Sequence, residues 1–556
     1  MQKVIKVPPE TQRALVFQGG GSLGAYEAGV YHVLYHWYKK KLSENENVFD
    51  IIAGTSIGAI NASIIINNFL ENKEKDTTTI EDEKSKNNLK YWEGSPEKLL
   101  NFWKQISSHS TYYDAVLSLI KNNWDFNKNI VTQMFPYLRY FIDLLVSGES
   151  LRRYYSTKKR VVNGEPYVFD PLFVPPFPTL WFNKFFDFSP NSAWWYQYSN
   201  LPLKKSILDF APKLEYDYHY GKGSIKTNFD HNEPRLLLVA ADIQTAKPET
   251  FDSFDKRGIT INHVLASAAI PINYPYMEIN GKKYWDGGIL SNTPVRELIS
   301  SHTDFWTKKF DSDNILDSFL ESENKLSFDK WDEFYKLQQT PNIPDLSLTV
   351  VNLHPESEEG NHIPSSYDYD MTKDREKDIR FHDKTDYDIK LAQNISDYYD
   401  FVEQMTDLAN NAIKEVNKNN NKDSNTKSTQ IDNDSNKSLK TKFEDIINSQ
   451  QRTRTRGGQP RYFYDLIDKR FDIIDVLKIE RKDDEYTISD KIFDFSQDSI
   501  SGLINKGIYD TLYKIHQKEE DKATFKEWFN IYREDIEKED KDILKPVLEF
   551  QKKERP

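Results

Sequence analysis

The stretch Phe49-Asp50-Ile51-Ile52-Ala53-Gly54-Thr55-Ser56-Ile57-Gly58-Ala59-Ile60 decides the fold. Its first half is an apolar run of strand length, and its last residues open a helical pattern that continues to about Leu70. Between them lies Gly54-x-Ser56-x-Gly58. A serine at a sharp strand-to-helix turn has its hydroxyl lifted out of the sheet and aimed at a helix N-terminus, whose exposed N–H groups favour developing negative charge. Glycines on either side remove side chains that would crowd the turn. Ser56 is therefore a candidate nucleophile, with Gly54 and Gly58 as its elbow. The competing interpretation is an ordinary helix-capping serine.

Upstream, Arg13–Phe17 is a strand candidate. It runs into Gly19-Gly20-Gly21-Ser22-Leu23-Gly24, and a helical pattern follows from Ala25 to about Trp37. Strand, turn, helix, repeated twice, is the grammar of a parallel α/β sheet. Downstream the pattern returns in the strand Arg235–Ala241, a helix near His263–Ala269, a strand pair around Met277–Trp285, and the strands Leu346–Asn352 and Phe471–Lys478. Residues 71–90 are polar and read as an exposed loop. From 91 to 230 the alternation breaks down into helical pieces (Pro96–Ser107, Ile130–Val146) and an aromatic segment. That segment, 171–198, holds eleven aromatics and five prolines, a composition suited to an acyl-binding cap, a membrane-docking surface, or simply the core of a cap. Residues 416–443 are low-complexity and read as a disordered insertion within one domain. The final stretch, 521–556, reads as a charged helical tail.

The turn Gly19–Gly24 exposes several backbone amides together, which suits an oxyanion. It also satisfies G-x-G-x-x-G, so a nucleotide-binding module is an alternative. That fingerprint expects an acid at the end of the next strand, whereas Asp50 stands at its beginning. Asp286-Gly287-Gly288 puts a carboxylate at a strand end, where it can act as a base or orient one; the plain alternative is an Asp-Gly turn. Among eleven histidines, His354, just after the strand ending at Asn352, is the best placed to complete a Ser, Asp, His order with Ser56 and Asp286, the arrangement of a histidine-dependent α/β-hydrolase; the plain alternative is a loop histidine before Pro355.

Composition narrows the classes. The 556 residues are 38% apolar and 29% charged, as in a globular chain, and the net charge of −13 argues against a nucleic-acid partner. With no cysteine there is no disulfide, thiolate metal site or cysteine nucleophile. Histidines and carboxylates are read as not recurring at ligand spacing, so neither metal nor cofactor is expected. The N-terminus lacks a secretory apolar core, and the apolar run Ile57–Leu70 is interrupted by Asn61, Asn67 and Asn68. A cytoplasmic protein is expected, with peripheral membrane contact through 171–198.

Taken together, the glycine turn, the G-x-S-x-G elbow about 35 residues later, and the distant Asp-Gly-Gly resemble the patatin-like phospholipases. The block Ala266-Ser-Ala-Ala-Ile-Pro271 and the trailing Asn292-x-Pro294 are similar to family patterns too. The resemblance implies a three-layer α/β/α sandwich with a mostly parallel sheet and a cap insertion at about 91–230. It implies a catalytic domain over 12–415 and a C-terminal extension over 444–520 packed on it, for which Lys377–Phe381, Phe493–Ser496 and Gly507–Asp510 are the matching motifs. It implies a serine acyl hydrolase of lipid esters, with Ser56 as nucleophile and Asp286 as base. Gly287 and Gly288 would shape the Asp loop, and the turn of Gly19, Gly20, Gly21, Ser22 and Gly24 would form the oxyanion hole. Many members carry a basic residue where this chain has Leu23, so a positive charge near the site is missing. A third alternative is a membrane-associated binding protein with an inactive site.

Overall fold

The computed structural model describes residues 9–77, 87–108, 149–171, 197–215, 224–312, 343–356, 369–382, 385–395, 449–454, 460–462, 471–484, 487–539 and 543–554, with isolated positions between 397 and 446. The chain divides into two units by its contacts. One comprises Arg13–Pro294, Thr349–Asp383 and Leu477–Pro556; the other comprises Met1–Gln12, Val295–Leu348 and Lys384–Val476. The expected helix at Ile130–Val146, most of the aromatic segment and the insertion at 416–443 lie outside the described residues.

The strands of the main sheet are β1 (Thr11–Phe17), β2 (Ile51–Thr55), β3 (Arg235–Asp242), β4 (Lys247–Asp252), β5 (Met277–Ile279), β6 (Lys282–Asp286), β7 (Asp345–Asn352) and β8 (Ile473–Glu480). They form one sheet in the order β8-β7-β1-β2-β3-β6-β5, with β4 also paired to β3. β1, β2 and β3 are parallel, and β4, β5 and β6 join antiparallel. Helices flank this mixed, mostly parallel sheet in an α/β/α sandwich. Those used below are α1 (Ala25–Lys41), α2 (Ile57–Thr77), α3 (Ser95–Ile106), α4 (Ile261–Ser267), α5 (Tyr369–Phe381), α6 (Gln497–Lys518), α7 (Lys522–Glu539) and α8 (Leu544–Glu554). Every residue of β2 and β3 is buried, as expected of central strands covered on both faces, and this is why they read as unbroken apolar runs.

Register explains the site. Thr55 pairs with Val239 in parallel, so Ser56 stands level with Ala240. Ala240 pairs antiparallel with Asp286. Two residues far apart in the chain are thereby set at the same level of the sheet. β1 ends at Phe17, level with Gly54, and delivers the glycine turn to the same end.

One expectation is corrected. As far as Thr77, the stretch after Leu70 is not a loop. α2 continues to Thr77, and Glu71, Lys73 and Glu74 are held by Lys98, Glu233 and Lys213. Polar residues there extend a solvated helix rather than end it. The final stretch is helical, and one face of its helices is packed. Phe525, Trp528, Phe529 and Tyr532 of α7 and Phe550 of α8 are buried, and Trp528 meets Trp37 of α1 edge-on at 4.8 Å. α6 crosses α1 where both carry glycine. A Cβ on Gly29 would lie 2.1 Å from the Ile504 carbonyl oxygen, and one on Gly507 would lie 2.2 Å from that of Tyr26.

In the other unit, the helix Val295–Ser312 buries Leu298 and Trp306. Trp306 Nε1 donates to Gln12 Oε1 at 3.0 Å, and His302 Nε2 meets the Pro344 carbonyl at 2.7 Å. Among the described residues no helix is long and apolar enough to cross a membrane.

Candidate active site

Ser56 is the one residue between β2 and α2, and its φ is +56°. A non-glycine residue in this left-handed region carries about 1–2 kcal/mol of strain, a cost that persists only where the surroundings hold it. Three interactions do so. The Ser56 carbonyl accepts from the amides of Ala59 and Ile60 in the first turn of α2. Its own amide donates to Ser267 Oγ at 2.9 Å, and Ser267 Oγ donates in turn to the Val239 carbonyl at 2.6 Å. The flanking glycines are steric necessities, since a Cβ on Gly54 would lie 2.3 Å from the Gly58 carbonyl oxygen and one on Gly58 would lie 2.6 Å from that of Phe17.

Ser56 Oγ donates to Asp286 Oδ2 at 2.7 Å, and both residues are buried. The other carboxylate oxygen accepts the Gly288 amide at 2.7 Å. Burial pushes the Asp286 carboxyl up to about 7, against the hydrogen bonds from Ser56 and Gly288, which pull it down. Gly287 lets the Asp loop close on the sheet, because a Cβ there would lie 2.3 Å from the Val239 carbonyl oxygen.

The glycine turn divides into different tasks. The Gly19 amide, grouped above with the oxyanion donors, is taken by the Asn292 carbonyl at 3.1 Å. Gly19 is instead a packing residue, with a hypothetical Cβ 2.3 Å from Asn292 Oδ1 and 3.0 Å from Ser56 Cβ. Gly24 is closely packed too, since a Cβ there would strike Ile57 at 2.5 Å. Gly21 takes φ +58° beneath Ile492, whose carbonyl oxygen would lie 2.5 Å from a Cβ. Ser22 Oγ donates to the Lys491 carbonyl at 2.8 Å. The amides of Gly20, Gly21 and Ser22 remain as oxyanion candidates.

The turn is braced from below by buried polar groups that sequence reading did not single out. Asn61 Nδ2 donates to the Gly24 carbonyl at 3.0 Å and to Glu27 Oε2 at 2.8 Å, while Trp103 Nε1 donates to Asn61 Oδ1 at 3.1 Å. Asn61 had served only as an interruption of an apolar run. Asn292 ties the turn to α5, donating to the carbonyls of Gly19 and Phe381 at 3.1 and 2.6 Å. Leu23 is buried and lines a cavity of about 120 Å³ whose wall carries both cations, among them Arg481 and Lys491, and carboxylates, among them Asp484 and Asp494.

His354 sits elsewhere in the network. Its Nδ1 meets Asp378 Oδ1 at 2.9 Å, and the carboxylate facing Ser56 is Asp286. Asp378 belongs to a buried cluster in which Lys491 Nζ contacts Asp374, Asp378 and Asp483 at 3.1, 2.8 and 2.7 Å. In space, two histidines and a carboxylate do come together away from the dyad. His32 and His36, one turn apart on α1, meet Glu97 from the start of α3. The third member comes from a distant segment, so spacing along the chain does not reveal the group.

Residues 15–145 and 169–299 match the family model described as patatin-like phospholipase. Among solved structures, VipD from Legionella pneumophila aligns over 98% of this chain and 79% of its own, at 11% identity and a TM-score of 0.24. No curated protein matches the chain.

Proposed function

The chain belongs to the patatin-like phospholipase family, whose members are lipid acyl hydrolases, and from that premise we propose that Ser56 and Asp286 cleave a fatty-acyl ester of a lipid through an acyl-enzyme, without a histidine. The observation that carries this reading is the 2.7 Å hydrogen bond from Ser56 Oγ to Asp286 Oδ2, made by a serine held at φ +56°. Asp286 takes the hydroxyl proton as Oγ attacks the ester carbonyl carbon. The oxyanion that forms is held by the amides of Gly20, Gly21 and Ser22, near the start of α1. Collapse expels the alcohol, protonated by Asp286, and leaves the acyl group on Ser56. Asp286 then takes a proton from water, which attacks the acyl carbon and releases the fatty acid. A base raised to about 7 suits proton transfer near neutral pH, and its requirement for the ionised form makes kcat/KM fall as pH drops through that range.

The engagement of His354 by Asp378 favours the dyad over a histidine-dependent triad. The test is hydrolysis of short- and long-chain fluorogenic esters by the wild type, Ser56→Ala, Asp286→Asn and His354→Ala, with folding checked by circular dichroism. Loss of about a thousandfold or more in the first two, with His354→Ala retaining turnover when folded, is expected. Activity surviving in Ser56→Ala would overturn the reading.

A further inference from the structure

Away from the dyad, on the helix that follows the glycine turn, α1 carries His32 and His36 one turn apart, with their ring centroids 4.7 Å apart. Glu97, in the first turn of α3, joins them. Each of the three offers one ligand atom, and these atoms lie within 4.8 Å of one another. We propose that His32, His36 and Glu97 bind a divalent d-block cation of the zinc class, which clamps α1 to α3.

Four observations carry it. Two imidazoles at i, i+4 project from one helix face, and a carboxylate from a second helix completes a nitrogen–nitrogen–oxygen donor set of the kind that zinc takes in tetrahedral sites. The ligand atoms of such a site lie about 3.3 Å apart, a closure that the exposed side chain of Glu97 can make by a change of rotamer. His36 Nε2 is buried and has no hydrogen-bond partner among the described residues, and a buried polar atom without a partner demands an explanation that a metal bond supplies. His32 has the outer contact typical of a metal-binding histidine, with its Nδ1 3.0 Å from the Tyr532 hydroxyl, leaving Nε2 for an ion.

The environment fits the role. Burial lowers both imidazoles, His36 to about 4, so the rings keep their lone pairs at neutral pH. Lys39, whose charge also bears on His36, is paired with Glu93 at 3.1 Å. The frame around the three ligands is already set. Tyr31 Oη and Ser95 Oγ join α1 to α3 at 2.7 Å, and Trp528 Nε1 of α7 donates to the His36 carbonyl at 3.1 Å. A cation there would tie the far end of α1, whose near end shapes the oxyanion turn.

The experiment uses the tag-free full-length chain stripped with chelator. Zinc is added and followed by thermal melting and isothermal titration, and cobalt(II) is added and followed by visible absorption. One zinc per chain, a melting temperature raised by about 2–4 °C or more at saturation, and the strong visible bands of tetrahedral cobalt are expected. All three should be lost in Glu97→Gln, an exposed position where folding is not at stake, and in His36→Ala. If His36→Ala does not fold, Glu97→Gln decides alone. Absence of stoichiometric binding to the wild type would overturn the proposal, and so would binding that persists in Glu97→Gln with unchanged cobalt bands.

Discussion

Two buried acidic regions of this molecule contain the same chemical group and treat it differently. At the elbow, Asp286 faces a hydroxyl and an amide, with no ion pair to either oxygen among the described residues. Around Lys491, three carboxylates share an ammonium, and Arg481 and His354 touch the same group. Burial pushes Asp286 up to about 7, and Asp374 also reaches about 7, because Lys491 does not outweigh burial together with the charges of Asp483 and Asp378. Asp483, despite its burial, is held well below its ordinary value by Arg481 and Lys491. Lys491 is raised, its acids outweighing the burial that opposes them. A raised carboxyl therefore does not by itself mark a reactive site. What distinguishes Asp286 is its neighbour, a serine hydroxyl presented by a strained turn; in the cluster the neighbours are cations and the arrangement holds segments together.

The contrast is most open to attack at Lys491. Lys491→Met removes the central charge from three buried acids and should cost about 3–5 kcal/mol in urea unfolding. A loss below about 1 kcal/mol would mean that the acids simply take up protons and that the cluster behaves as the dyad does. At Asp286 the sign reverses. The folded-state value lies above the ordinary 3.8, so the native state holds its proton more tightly, and this group lowers stability as pH rises from about 4 through 7. Asp286→Asn removes that penalty. It should melt higher than the wild type by about 1–3 kcal/mol at pH 8, and the gain should vanish near pH 4. A variant less stable than the wild type at pH 8 would contradict the uncompensated carboxylate. The smallest effect is expected at Ser267, a positioning residue that receives the Ser56 amide. Ser267→Ala should lose about 1 kcal/mol of stability and about tenfold in kcat with KM nearly unchanged, because the hydroxyl holds the elbow rather than the substrate. An equal loss in KM would instead place Ser267 in substrate binding.

The elbow was legible because its signal is local. Strand, glycine, serine, glycine and helix occupy one short stretch, and the φ of Ser56 follows from that turn. Asp286 could be named from an Asp-Gly-Gly pattern, but its hydrogen bond to Ser56 depends on strand register between β2, β3 and β6, which no spacing along the chain encodes. Ser267 carries no signal in the sequence, because its hydroxyl acts from the end of α4 on the backbone of two distant residues. Gly19 is read as an anion-binding glycine, yet its amide is taken by the Asn292 carbonyl, and both Gly19 and Gly24 have neighbours too close for a side chain. The Lys491 cluster and the third member of the His32–His36–Glu97 group escaped for a common reason: side chains from separate segments come together only in the fold, and spacing along one helix does not show them.

The glycine crossing of α1 and α6 bears on how the molecule can be divided. The family-matched residues stop at 299, but the helix that fills the notch beside Gly29 spans Gln497–Lys518. A fragment trimmed to the matched segment would present the bare backbone groove of α1 to water, along with the aromatic side chains that α7 now covers. The family-matched segment and the chain's last helices thus share one packed core, and expression, grafting or domain exchange must carry both.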